Sequence, residues 1–177
     1  MLASIWLQLS GPQEAVLGAL IKRLADAHGT VPFAPHLTVC SPRSNPDSWS
    51  AAAEYIQDSR LLPLRVSKKR ISYSTTAPMR AVVIDVEEIP PLLTFRENLR
   101  RITGAAEPLP PHISLLYSVA ENGRQPKWSS DENMMKGIAE ECERRVKASG
   151  FILDRPVIVA PDGDWSNIRS WQVARVL

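Results

Sequence analysis

The sequence predicts a mixed α/β (α+β) fold in which strand and helix units recur in two similar lobes. Short segments alternate apolar and polar residues with period two, as strands do, and longer segments repeat apolar residues every three to four positions, as helices do. A helix, a proline-containing lead and a histidine strand occur twice, at His36 and at His112. With 177 residues and 44% hydrophobic content, the chain suffices for one well-buried core, so one domain over 1–177 is expected.

The elements follow from these periods and from the glycine and proline residues that separate them. In the first half, strands are predicted over 4–9, 36–40, 62–74 and 79–87, and helices over 13–27 and 46–58. Ser41-Pro42 is expected to stop the second strand, and 75–78 to form the turn between the third and fourth. In the second half, helices are predicted over 91–102 and 133–148, and strands over 112–117, 151–159 and 171–176.

Bulk composition limits the classes of partner. The formal charge is only +2, from 21 basic and 19 acidic residues, so a long nucleic acid held by phosphate contacts is not expected. The cysteines, Cys40 and Cys142, are too few for a disulfide framework. The apolar start lacks the features of a signal peptide, and no apolar run reaches the ~20 residues of a membrane span. We therefore expect a cytoplasmic monomer with no membrane partner.

Two of the three histidines begin the same four-residue frame of His, apolar, Ser or Thr, apolar. Residues i and i+2 of a strand share one face, so His36 lies with Thr38, and His112 with Ser114. Opening a cyclic phosphodiester requires a base for water and an acid for the departing alkoxide, and histidine suits both roles near neutral pH. The two hydroxyls can donate hydrogen bonds to phosphate oxygens. We expect the four side chains to converge on one cleft.

A metal site and a cofactor are not expected. No third His, Cys or carboxylate stands at a zinc-like spacing from His36 or His112. His28 lies at the end of the first predicted helix, where an imidazolium favours the helix dipole, so we interpret it as structural.

The segments Pro35-His36-Leu37-Thr38-Val39 and Pro111-His112-Ile113-Ser114-Leu115-Leu116-Tyr117 resemble the signature of the two-histidine (2H) phosphoesterase superfamily, most closely its small cyclic nucleotide phosphodiesterases. The resemblance implies a bilobal, pseudo-symmetric fold in which two antiparallel sheets line a central cleft, with helices outside.

The same resemblance implies metal-independent catalysis by His36 and His112 and phosphate binding by Thr38 and Ser114. The reaction implied is hydrolysis of ADP-ribose 1″,2″-cyclic phosphate to the 1″-phosphate, or of nucleoside 2′,3′-cyclic phosphates to 2′-phosphates, reactions of RNA and tRNA-splicing metabolism. By this analogy His112 activates water and His36 protonates the leaving oxygen, although near-symmetry makes the roles exchangeable.

Three aromatic residues are candidates for substrate binding. Tyr117 reaches the cleft only if its strand bends or ends by Ser118, because its odd spacing from His112 places it on the opposite face of a straight strand. Trp171 begins the final predicted strand, where a tryptophan can stack on a base. Trp6 shares a face of the opening strand with Gln8. Tyr117 and Trp171 are equally well explained as core or rim aromatics, and the indication for Trp6 is weaker still.

The expected partner is a small cyclic-phosphate nucleotide, without a stable nucleic acid complex. One alternative is a 2H enzyme that acts on RNA 2′,3′-cyclic ends or oligoadenylates. Another is a non-catalytic nucleotide-binding module of the same fold.

Overall fold

The computed structural model describes residues 3–43, 46–106, 109–120, 123–162 and 167–177, with side chains outside 41–47. The strands of this part are β1 (Ala3–Leu9), β2 (His36–Arg43), β3 (Leu64–Tyr73), β4 (Val82–Val86), β5 (His112–Leu116), β6 (Gly150–Pro161) and β7 (Trp171–Val176). Its α-helices are α1 (Gly11–His28), α2 (Pro46–Asp58), α3 (Pro90–Thr103) and α4 (Glu132–Arg145). The predicted α+β class is confirmed.

All described strand pairs are antiparallel and belong to one seven-stranded sheet of order β1-β2-β5-β4-β3-β6-β7. Strand β1 also pairs with β6, so six strands close into a ring. Strand β7 lies outside this ring and pairs with the C-terminal part of β6, residues 157–161. The two sheets expected from the sequence correspond to the two halves β7-β6-β1-β2 and β3-β4-β5. They are continuous with each other, because backbone pairing joins β2 to β5 and β3 to β6.

The two faces of the sheet differ in what covers them. On one face, Ile5, Leu7, Leu37 and Ile113 are fully buried in the main core, which is completed by apolar residues of the four helices. On the other face, Trp6 packs with Val157 and Val159 in a separate small cluster. Because side chains alternate along a strand, the residues that lie between those of the first face, such as Trp6, point to the second face. The histidines lie on this second face.

Some element bounds differ from those predicted. Strand β2 continues through Ser41-Pro42 to Arg43, because a register shift opposite β1 accommodates the proline, which has no N–H to donate. Helix α4 ends at Arg145 instead of residue 148. The Ser149 carbonyl accepts from the Lys68 backbone N–H (2.8 Å), which ties the segment after α4 to β3.

The fourth strand begins three residues later than predicted. Residues Pro78–Arg80 form a 3-10 turn, and β4 starts at Val82. Proline favours the first position of such a turn because its φ is preset and it lacks an N–H. The Ser74 N–H donates to the Ala81 carbonyl (3.0 Å) and closes the hairpin there. Met79 and Arg80 are therefore turn residues.

Helix α1 shows why helices could be predicted from the sequence: the residues at its two ends mark where it begins and ends. Pro12 stands in its first turn, and Gly29 ends it in the left-handed conformation that glycine adopts without steric cost. Val16 is 62% exposed, because the buried stripe of this helix is centred on Leu17, Leu20 and Leu24. None of the helices in the described residues is both long and apolar enough for a membrane span.

Candidate active site

Pairing of β2 with β5 brings the two histidine motifs together. Leu37 lies opposite Ile113, and both side chains point into the main core. In antiparallel register the flanking residues then oppose each other on the other face, His36 beside Ser114 and Thr38 beside His112. Each histidine therefore has the hydroxyl of the other motif as its cross-strand neighbour. The hydroxyl residue of its own motif, two positions later, lies on the same face of the sheet as the histidine.

The strands on either side extend this face. On β1, Gln8 pairs with His36 and Trp6 with Thr38. On β4, Asp85 pairs with His112 and Val83 with Ser114. The floor of the candidate site consequently consists of two rows of side chains that cross four strands, with the two motifs in the middle.

Both histidine rings are held by the same kind of hydrogen bond, from Nδ1 to the backbone carbonyl two residues earlier. The Nδ1–H of His36 donates to the Ala34 carbonyl (2.7 Å), and the Nδ1–H of His112 donates to the Pro110 carbonyl (2.8 Å). Each acceptor precedes a proline, Pro35 or Pro111, which restricts the residue before it to extended backbone. Because a carbonyl can only accept, Nδ1 carries the proton, and Nε2 remains for an incoming ligand.

His36 is buried among aromatic rings. Trp6 stacks on it with ring centroids 3.6 Å apart and planes 8° from parallel, and Phe33 contacts it edge-on at 6.1 Å. Loss of hydration is the main cause that lowers the pKa of His36 to about 4, and the positive charge of His112 lowers it further. The Ala34 hydrogen bond acts in the opposite direction. His36 is therefore neutral at pH 7.

His112 is half-buried and lies among charged residues. Desolvation lowers its pKa, and the cations of Arg80 and Arg96 lower it further, against the raising effects of the Pro110 hydrogen bond and Asp85. Asp85 is held by Arg70, whose Nε donates to its carboxylate (3.1 Å). The two site histidines thus differ in surroundings: aromatic rings enclose His36, and charges surround His112.

The hydroxyl groups of Thr38 and Ser114 also differ in their surroundings. Thr38 is half-buried on the floor, next to Trp6. Ser114 is 4% exposed, and its Oγ donates to the Met79 carbonyl over 3.3 Å, the long end of the hydrogen-bond range. Its oxygen also interacts with the Tyr117 hydroxyl. Ser114 therefore connects the second motif to the turn before β4.

Solved structures resemble this architecture along nearly the whole chain. E. coli LigT complexed with ATP has a TM-score of 0.61 at 14% identity, and covers 99% of this chain and 96% of its own. E. coli LigT complexed with NADP+ has a TM-score of 0.62 at 14% identity, covering 99% and 95%. This chain has the 2H phosphoesterase fold. Kluyveromyces marxianus Usb1 with uridine monophosphate is more distant, with a TM-score of 0.51 at 10% identity, covering 99% and 96%.

The resemblance seen in the two motifs is thus confirmed for the fold. No protein-family model and no curated protein matches the sequence itself. At identities of 10–14%, the likeness to these structures is one of fold.

Of the three aromatic candidates, Trp6 stacks directly on His36, and the other two join the same group of rings through Phe33 and Trp6. Strand β5 ends at Leu116, and Tyr117 turns to stack on Phe33, with ring centroids 3.8 Å apart. Trp171 meets Tyr117 edge-on at 5.8 Å and Trp6 at 5.5 Å. The structure therefore brings together every site residue predicted from the sequence. Their roles in binding and catalysis stay predictions.

Other residues of the site were not predicted. Phe33 lies between His36 and Tyr117, yet in sequence it is an apolar residue in a proline-rich lead with no period to place it. Asp85 faces His112 only through the β4–β5 register. Arg80 was assigned to a strand and lies in a turn near His112. The signal that the sequence offers is a basic residue two positions after a proline.

Within the five described segments, no group of three or more His, Cys, Asp and Glu residues is arranged to hold a metal ion.

Proposed function

We propose that the protein hydrolyses small cyclic phosphodiesters, ADP-ribose 1″,2″-cyclic phosphate or nucleoside 2′,3′-cyclic phosphates, by acid and base catalysis without a metal ion. The main support is the pair of histidines on adjacent strands, each with Nδ1 bonded to a carbonyl and Nε2 left for the substrate. A phosphorus atom between two such nitrogens is attacked on one side and loses its leaving oxygen on the other.

The burial of the histidines supports one division of roles. His36, which is neutral, takes a proton from water as the water oxygen bonds to phosphorus. The bond from phosphorus to one ribose oxygen breaks, and His112 gives its proton to that oxygen. This is the reverse of the polarity implied by family resemblance. The positive charges of Arg80 and Arg96 near His112 are compatible with these roles. The negative charge of a bound phosphate offsets them and so raises the pKa of His112, the general acid.

Thr38 and Ser114 serve as donors to the non-bridging phosphate oxygens. Thr38 stands opposite His112, and Ser114 stands opposite His36, so a phosphate between the rings has a hydroxyl on each side. The long bond from Ser114 to Met79 is weak enough for the hydroxyl to rotate towards a ligand. Donors placed in this way stabilise the charge that grows on phosphate in the transition state.

Aromatic residues complete a nucleotide site in this proposal. The similar structures include LigT with ATP, with 3′-AMP and with NADP+, and Usb1 with uridine monophosphate, all of them nucleotides. In this chain, Trp171 is half-buried next to Trp6 and Tyr117 and stacks on the base of the substrate. Trp6 supports the His36 ring, and Tyr117, which is only 4% exposed in a small core cluster, packs against Trp171 and holds it in place.

The decisive experiment is a substrate panel assayed with excess chelator. We expect turnover of nucleoside 2′,3′-cyclic phosphates and of ADP-ribose cyclic phosphate, with equal rates in the presence and absence of EDTA. Product analysis should show a monoester. Inhibition by EDTA that zinc reverses would refute the metal-free mechanism. Faster hydrolysis of cyclic-phosphate-ended RNA would favour the RNA enzyme, and binding without turnover of any substrate would favour the non-catalytic module.

Replacing Trp171 by Ala should raise KM for a nucleoside 2′,3′-cyclic phosphate about tenfold or more, since base stacking on an aromatic ring contributes ~1–3 kcal/mol. Glycerol 1,2-cyclic phosphate, which has no base, is the matched substrate and should keep its KM. Trp171→Phe should recover most of the loss. Equal effects on both substrates would instead show that Trp171 supports the fold of the site.

A further inference from the structure

Arg80 lies in a turn that is tied to the second histidine motif. The Oγ of Ser114 donates to the carbonyl of Met79 (3.3 Å), and the N–H of Ser118 donates to the carbonyl of Pro78 (2.8 Å). These bonds attach the Pro78–Arg80 turn to β5 and to the residues that follow it. Since Ser114 shares a face with His112, Arg80 is brought to the same side of the sheet.

The charge of Arg80 has no balancing partner in the part of the chain that the structure describes. Within the described residues, no carboxylate pairs with its guanidinium and no acceptor bonds it, and its Nε is buried without a partner. A buried donor left unpaired is costly, and such groups call for an explanation such as a ligand. The rest of the side chain is only half-buried, so an anion can reach it.

The other arginines near this face are already engaged. Arg96 also lowers the pKa of His112, and its Nε too is buried without a partner, but the residue is only 4% exposed and its Nη2 donates to the Leu109 carbonyl, so an anion has no access to it. Arg70 pairs with Asp85. Arg155 bonds both Gln8 and Glu14. Arg80 is thus the cation near His112 that combines access with an unsatisfied donor.

We infer that Arg80 binds the non-bridging oxygens of the phosphate on which the two histidines act. The inference rests on the proposed function and adds a charged donor to its two hydroxyls. A guanidinium presents two parallel N–H groups to a phosphate, which gives stronger and more directional bonds than a hydroxyl gives. The phosphate in turn accepts a hydrogen bond from the buried Nε of Arg80. Its negative charge also offsets the positive charge that Arg80 places near His112, the general acid.

The test is titration of the intact protein with inorganic phosphate, followed by NMR of the histidine ring resonances. Wild type should bind phosphate. Arg80→Gln should bind ~10–100-fold more weakly, as expected for a lost charge-assisted bond, and Arg80→Lys should fall between them. Arg65→Gln removes the same charge from an exposed position on β3 and should match wild type. Removing the Arg80 cation should also raise the pKa of His112.

Thermal unfolding of each variant checks that the fold is kept, and Arg80→Lys provides the conservative comparison. The inference is overturned if Arg80→Gln binds phosphate as tightly as wild type, if Arg65→Gln weakens binding equally, or if wild type binds no phosphate. Its failure is distinct from failure of the proposed function. A protein inactive on the whole substrate panel can still bind phosphate through Arg80, and an active one can be indifferent to Arg80→Gln.

Discussion

His36→Gln and His112→Gln should each lower kcat for a nucleoside 2′,3′-cyclic phosphate by ~10²–10⁴-fold, the range typical of a lost general acid or base. Glutamine keeps a polar side chain of similar length but cannot exchange a proton near neutral pH. Because each ring is held by its own carbonyl, neither histidine can move to replace the other. The measurement is steady-state kinetics with the substrate at saturating concentration.

His28→Gln is the matched control for these substitutions. His28 lies at the end of α1, outside the floor of the candidate site, and the carbonyl that accepts from Trp128 is retained in the variant. Its activity should equal that of wild type. Folding must be checked for His36→Gln, since that ring packs between Trp6 and Phe33. Folded variants of His36 and His112 that keep wild-type kcat would refute the catalytic assignment.

The plot of kcat/KM against pH should be bell-shaped, with its maximum between about pH 4 and 6.5. The base must be neutral, so activity is lost as pH falls through the pKa of His36, about 4. The acid must be protonated, so activity is lost as pH rises through the pKa of His112, which is below its ordinary 6.5. Each limb should approach a tenfold change per pH unit.

NMR titration of the two rings decides which limb belongs to which histidine. His36 should titrate at lower pH than His112, and a reversed order would contradict the proposed roles. Arg80→Gln should shift the alkaline limb to higher pH, because the Arg80 cation disfavours the charged form of His112. The matched Arg65→Gln should leave it in place.

Stability must be followed in the same pH range. The pKa of His36 is lower in the folded protein than in the unfolded one, so the unfolded chain takes up more protons between pH 6.5 and 4. The free energy of unfolding therefore falls as pH drops through this window, by roughly 3 kcal/mol at pH 4 for this group alone. Rates on the acid limb need parallel circular dichroism to separate protonation from unfolding.

Much of the secondary structure follows from local signals. The bounds of α2 and β7 agree with the predicted ranges 46–58 and 171–176, because apolar period and flanking turn residues both act over a few positions. The late start of β4 was missed because the Pro78–Arg80 turn depends on bonds to Ser114 and Ser118, far along the chain. Tertiary partners of this kind leave no periodic pattern in the sequence.

The sequence by itself determined that His36 shares a face with Thr38 and His112 with Ser114, because strand geometry places residues i and i+2 together. It also determined the chemistry open to these groups, since that depends on residue type. Only the tertiary structure decided that each histidine stands opposite the hydroxyl of the other motif, because Leu37 pairs with Ile113 across two distant strands. The unequal burial of the histidines and the unsatisfied Nε of Arg80, which finds no acceptor among the described residues, arose there too, since desolvation and hydrogen bonding depend on every neighbour in space.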